Sequence, residues 1–200
     1  MNDTVERYTK TAIILHWLVA LMIIVMLALG LWMHELPKDA PKTAVFDLFN
    51  WGIYTVTLPE PVSVRTFYFN LHKSIGMTVL VIILIRVIWR LTHAAPAFPA
   101  TMKAWEMKLA DWGHKGLYVL MLVLPLSGFI MSIYSKWGIM WFGIPVVKGL
   151  DNPQLRDFFK EVHEISAWLI ILLIVLHVIA AVKHKVVDKD DVMKRMSLHG

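Results

Sequence analysis

The sequence predicts an all-α fold: an integral membrane four-helix bundle with its N- and C-termini both inside. Three observations carry that expectation: an apolar excess over the whole chain, four separate stretches of spanning length, and a bias of Lys and Arg toward one side of them. Of the 200 residues, 58% are hydrophobic and 18% charged, with a mean hydropathy of +0.60. Soluble domains sit near half apolar and a quarter charged, so the surplus has to face lipid.

The first span is expected at 11–33, without a formal charge and with one polar ring, His16. The second, at 71–91, carries His72, Lys73, Arg86 and Arg90. The third, at 114–134, is free of charge from Gly116 onward except for its flank and holds Pro125 near its middle; the fourth, at 162–183, has His177 as the polar ring of its apolar run. In lipid the backbone must satisfy its own hydrogen bonds, and the length of these runs and their lack of strand-like alternation make them helices. The first run is longer than a signal peptide's apolar region, and no small-residue cleavage site follows it, so it is expected as a retained helix. No internal repeat interrupts this pattern, and the chain reads as one membrane domain over 1–200.

Charge sets the expected orientation. With the N-terminus inside, twelve basic residues fall on the inner side and eight on the outer, which is the positive-inside bias. Trp17, Trp32, Trp89, Trp112 and Trp137 fall at the expected interfaces. The outside loops, 34–70 and 135–161, are long; each is expected to form a short amphipathic helix on the membrane surface, around Val45–Tyr54 in the first and near Trp141-Phe142-Gly143 in the second. The net charge of +5 is spread over the ends of the apolar runs with no basic cluster among aromatics, so no nucleic-acid partner is expected and lipid is.

The chain has no cysteine, which removes thiolate metal sites, iron–sulfur clusters and covalent haem attachment. Four of its nine histidines lie within or at the ends of spans, where hydrocarbon offers an imidazole no partner. Their depths pair off: His16 with His177 near the inner face, His72 with His163 near the outer. His163 and His177 are fourteen residues apart, roughly 21 Å along a helix and within roughly 40° of one face. Two rings stacked this way suit two haems, each iron taking two axial imidazoles, an arrangement for electron transfer rather than oxygen binding. One zinc ion cannot reach both pairs, and His163-Glu164 does not continue into a metalloprotease motif because position 167 is Ala. Arg86 follows His72 by fourteen residues on the same face; it either snorkels as an inner anchor or pairs with a haem propionate. Gly30, Gly76 and Gly128 let either a porphyrin or a neighbouring helix approach the backbone.

Taken together, Ile14-Leu15-His16-Trp17-Leu18, Leu71-His72-Lys73-Ser74-Ile75-Gly76, Arg86-Val87-Ile88-Trp89-Arg90, Gly113-His114, Leu124-Pro125-Leu126-Ser127-Gly128, Val162-His163-Glu164 and Leu176-His177 resemble the prokaryotic cytochrome b561 family. Its members are four-helix di-haem membrane proteins related to the cytochrome b subunits of some hydrogenases and formate dehydrogenases. The resemblance runs over nearly the whole chain. It implies two b haems, one on His16 and His177 and the other on His72 and His163. Some members resemble a superoxide oxidase that passes an electron from superoxide at the outer haem to ubiquinone; in those a histidine seven residues past the last ligand lies near the quinone, a place His184 takes here. His114 and Trp17 are further quinone candidates. The 34–70 loop is longer than in compact members, and Thr101 stands where a basic residue is expected, with Lys103 nearby.

The resulting expectation is an oxidoreductase of the bacterial inner membrane linking an outside one-electron donor, superoxide or a periplasmic redox partner, to the quinone pool. Arg65, Lys73, Lys136 and Lys160 would draw an anion to the outer mouth. The alternative is a haem-bearing anchor for a peripheral dehydrogenase or hydrogenase. A haem-free transporter has no repeat symmetry to recommend it.

Overall fold

The computed structural model describes residues 6–99 and 101–198. Four long helices dominate it: α1 (Lys10–His34), α2 (Val64–Thr92), α3 (Ala104–Ile133) and α4 (Pro153–Lys183). All four are long and apolar enough to cross a membrane. α1, α2 and α4 run past the spans expected at 11–33, 71–91 and 162–183 at one or both ends, and α3 begins ten residues before the expected 114–134 and stops one residue short of its end. The extensions have local causes. Thr9, Ser63 and Asn152 accept N–H bonds from Ala12, Thr66 and Leu155 and so cap α1, α2 and α4. Pro153 opens α4, where its missing N–H costs nothing. Glu106 accepts the Lys103 N–H at 2.9 Å at the start of α3.

Val19 and Ile23 of α1, Val79 and Ile83 of α2, Met121 of α3 and Ile170 of α4 form one buried apolar layer at mid-depth. Most other span side chains, such as Leu21, Ile85, Val119 and Leu172, stay exposed, as lipid-facing residues must. The close helix pairs are α1 with α2, α2 with α3, and α3 with α4. The N-terminal arm and the C-terminal tail meet, Tyr8 N–H donating to Arg195 O at 3.4 Å, so both termini lie on one side of the bundle.

Neither of the two long loops forms the expected surface helix. Residues 42–63 form an antiparallel hairpin of β1 (Lys42–Asp47) and β2 (Thr55–Ser63). β-branched Thr43, Val45, Thr55, Val56 and Thr57 favour the pleated form, and Pro59 and Pro61 cannot enter a helix interior. Both prolines fall where the register shifts, the place a strand tolerates them. The second loop folds as β3 (Ile139–Trp141) and β4 (Ile144–Val147). Phe142 and Gly143 turn it with φ of 47° and 89°, the left-handed pair a two-residue hairpin needs. This hairpin is pinned to α2: Phe142 N–H donates to Ser74 Oγ at 3.0 Å and Trp141 Nε1–H to Thr78 Oγ1 at 3.2 Å.

Candidate functional site

Two histidine pairs lie at opposite ends of the apolar layer. His16 of α1 and His177 of α4 have ring centres 6.3 Å apart; His72 of α2 and His163 of α4 are 6.4 Å apart. Two imidazoles on opposite sides of one metal, each bound at about 2 Å with its ring centre about 1 Å further out, lie about 6 Å apart. Both pairs meet that spacing. The helices that carry them, α1 and α4 in one case and α2 and α4 in the other, are not among the closely packed pairs, so the backbones leave room between them.

The ring nitrogens give a second test of fit. His163 donates Nδ1–H to Leu124 O at 2.7 Å, which leaves Nε2 as the free lone pair, the tautomer of a ligating histidine. Ser127 Oγ–H donates to the same carbonyl at 2.8 Å. His72 Nδ1 is buried with no hydrogen-bond partner among the described residues, a cost that a structure bears only for a reason. Small residues sit against these rings: a Cβ on Gly128 would meet His163 Cε1 at 2.8 Å, and one on Gly30 would meet His72 Cε1 at 3.3 Å. A Cβ on Gly76 would instead meet Met26 at an ordinary 3.5 Å, so Gly76 serves helix packing. The four rings and their surroundings therefore fit two haems held between helices.

The inner site gathers more than one pair. Arg86 donates to His16 Nδ1 at 2.9 Å, lies 3.4 Å from His16 O and stands over the Tyr118 ring at 5.4 Å. His114, exposed at its position on α3, lies 5.4 Å from His177 centre to centre. Trp17 stands edge-on to His16 at 5.1 Å and donates its indole N–H to Met196 O at 2.9 Å. His184 belongs to a separate polar group in the single π-helical turn after α4. It is buried and donates Nδ1–H to Asp190 at 2.7 Å, with Asp188 at 3.2 Å; Lys183 next to it bridges Glu106 and Asp188.

The four cations expected to steer an anion all have contacts within the chain. Arg65 donates to the carbonyls of His34 and Leu36 at the end of α1 and covers Phe69, and Lys160 pairs with Glu164 at 2.8 Å. Lys73 donates to Gly138 O at 3.5 Å and Lys136 stands over the Trp137 ring at 5.1 Å; neither forms an ion pair among the described residues.

Leu124 and Ser127 stood in the sequence only as part of the motif that carries the resemblance, without a role, and Asp188, Asp190 and the tail residues Arg195 and Met196 were given no role at the site. Pro125 in mid-span, which lacks the N–H that would bond Met121 O, was a visible signal beside them. The others have none, being brought in by the tail.

The model of the prokaryotic cytochrome b561 family matches residues 7–198. The chain is 33% identical to cytochrome b561 homolog 2 of Escherichia coli (strain K12), over 98% of this chain and 93% of that one. It is 28% identical to cytochrome b561 homolog 1 of the same organism, over 96% and 97%. It is also 28% identical to a probable superoxide oxidase CybB of Yersinia pestis, over 96% of each.

Proposed function

The chain belongs to the prokaryotic cytochrome b561 family, and from that premise we propose that it carries two b haems and passes electrons from an outside one-electron donor to the membrane quinone pool. It is a multi-pass membrane protein of electron transfer. The observation that carries the di-haem reading is the spacing of the two histidine pairs, 6.3 and 6.4 Å, at opposite ends of one apolar layer. In this reading His16 and His177 hold the inner haem, and His72 and His163 the outer.

Bound b haem supplies reversible one-electron chemistry at each end. The protein does the rest. Leu124 O holds the tautomer of His163, Gly30 and Gly128 keep space beside the outer rings, and the layer from Val19 to Ile170 excludes water between the sites. Arg86 is the charged group nearest His16, placed to meet a propionate. Ubiquinone is the acceptor in this reading, with Trp17 and His114 beside the His16–His177 pair and His184 on the turn after α4 as its candidate contacts. The bacterial inner membrane, with both termini cytoplasmic, is the location that the Lys and Arg bias supports.

Superoxide is the donor we favour, because a relative bears the name of a probable superoxide oxidase and Lys73, beside His72, is a cation without an ion pair among the described residues. The second reading, an anchor for a peripheral dehydrogenase or hydrogenase, is favoured by the exposed Trp51, Ile53 and Tyr54 at the tip of the first hairpin. Pyridine haemochrome on the purified chain should give about two haem b per polypeptide. Rapid mixing with superoxide should then reduce them, and addition of ubiquinone reoxidise them. A colourless protein ends the haem reading; two haems that superoxide leaves oxidised end the donor assignment and favour the anchor.

A further inference from the structure

Residues 137–147, which hold the second hairpin, run eleven positions without a charge, and Lys136 and Lys148 bracket the run. Within it Met140, Trp141, Phe142, Ile144 and Val146 all leave much of their side chains exposed, and both bracketing lysines are exposed as well. A contiguous apolar surface of this kind marks an interaction site.

The hairpin lies along α2 instead of standing away from the bundle. At its base Lys73 Nζ donates to Gly138 O at 3.5 Å. At its turn Ser74 Oγ takes the Phe142 N–H, and the Trp141 indole N–H reaches Thr78. α2 runs from the His72 end toward Arg86 and His16, so each of these contacts lies deeper than the one before. Thr78 is six residues past His72, about 9 Å along the axis, and seven past the start of the span expected at 71, about 10 Å. Val81 and Ile85, three and seven residues beyond Thr78, share its face of the helix and are exposed. The apolar strip of the hairpin therefore continues into a lipid-facing stripe of α2.

Backbone near lipid must leave few polar groups open. The Phe142 N–H at the turn is taken by Ser74, itself buried, and Pro145 in β4 has no N–H to leave unpaired. The bracketing lysines suit the polar zone, since a lysine stem lies along apolar surface while its ammonium stays with water or phosphate; Lys136 already stands over the Trp137 ring at 5.1 Å. Leu150 N–H donates to Ile133 O at 2.9 Å and Asn152 N–H to Tyr134 O at 3.0 Å, which keeps the base of the hairpin at the end of α3. We propose that β3–β4 is seated in lipid, residues 140–146 lying in the headgroup–acyl boundary of the leaflet nearest His72 and His163, with Lys136 and Lys148 at its phosphates. A protein partner would meet a face without one charged side chain, which gives it little to recognise. The inference rests on the membrane-crossing helices and the bonds of the hairpin, and needs no haem.

The test takes the purified holoprotein in phosphatidylcholine vesicles that contain a phospholipid with a diazirine on its acyl chain. Illumination, trypsin and mass spectrometry map the adducts. Lys136 and Lys148 release the hairpin as the peptide 137–148, and Arg156 ends the next one, 149–156. Peptide 137–148 should carry adducts at a density like that of the span peptides, and 149–156 should stay near background. Ile144→Asp, at an exposed position, should lower the adducts on 137–148 at least about threefold, because Asp is costly in lipid, and leave those on the span peptides unchanged. Ile144→Val should label as the native chain does. A water-soluble diazirine is the counter-probe. Background lipid labelling of 137–148 overturns the proposal: with strong labelling from water the hairpin stands in solvent, and with neither it is covered by a second copy or another protein. Undiminished lipid labelling of the Ile144→Asp chain overturns it as well.

Discussion

The guanidinium of Arg86 donates to Nδ1 of His16 at 2.9 Å, joining α2 to α1. A guanidinium has no acceptor, so the neutral His16 ring carries its proton on Nε2. Binding iron through Nε2 needs the opposite tautomer. Were His16 to hold a haem iron through Nε2, Arg86 would have to leave Nδ1, and its charge would then be free for a carboxylate. Arg86→Leu should retain both haems and lower the midpoint potential of the inner one by about 30–60 mV, since 59 mV is a tenfold change for one electron. Spectroelectrochemical titration measures it. An unmoved potential would make Arg86 an interfacial anchor and nothing more.

The histidine pairs should be separable. His177→Ala and His163→Ala should each lower the haem b content from about two toward one per chain, and the two variants should lose different low-spin haem signals in electron paramagnetic resonance. His114 lies close enough to His177 to deserve the control His114→Ala, which should keep both haems. A single ligand variant that keeps two, or a His114 variant that loses one, would break the assignment.

Crowding should discriminate Gly128 from Gly30. A methyl on Gly128 meets His163 at 2.8 Å, while one on Gly30 meets His72 at 3.3 Å. Gly128→Ala should displace His163 from Leu124 O, deplete the outer haem and cost about 1–3 kcal/mol from overpacking. Gly30→Ala should be milder on both counts. Haem content and thermal unfolding read the two effects, and equal behaviour of the two variants would contradict the geometry.

The tail is held by a buried cation. Arg195 donates to Glu6 O at 2.9 Å and to Ala97 O at 2.7 Å, tying the tail to the N-terminal arm and the loop after α2, and it faces the Tyr8 ring. Arg195→Ala should cost about 2–3 kcal/mol, the scale of hydrogen bonds to a charged donor, and should expose the chain beyond Lys189 to limited proteolysis. A tail as resistant as before would mean that backbone contacts such as Tyr8 N–H to Arg195 O, with the Trp17–Met196 bond, suffice to hold it.

Much of the histidine arrangement was legible before any coordinates. A polar ring in hydrocarbon stands out by composition, its depth follows from a 1.5 Å rise, and fourteen residues return to one face, so the partners of His163 and His177 could be named. The hairpins were not legible. In residues 34–70 the apolar stretch Val45–Tyr54 fits a surface helix as readily as a strand, because periodicity over so few residues does not separate the two.

The sequence by itself determined the four membrane-crossing helices and the depth of His16, His72, His163 and His177, because lipid penalises unpaired backbone and polar side chains residue by residue and local rise sets depth. Only the tertiary structure decided which groups meet those rings. Arg86 on His16, Leu124 O on His163 and Met196 O on Trp17 join segments between 39 and 179 residues apart. Such contacts depend on how helices rotate and pack and on where the tail lies, and no local spacing encodes that.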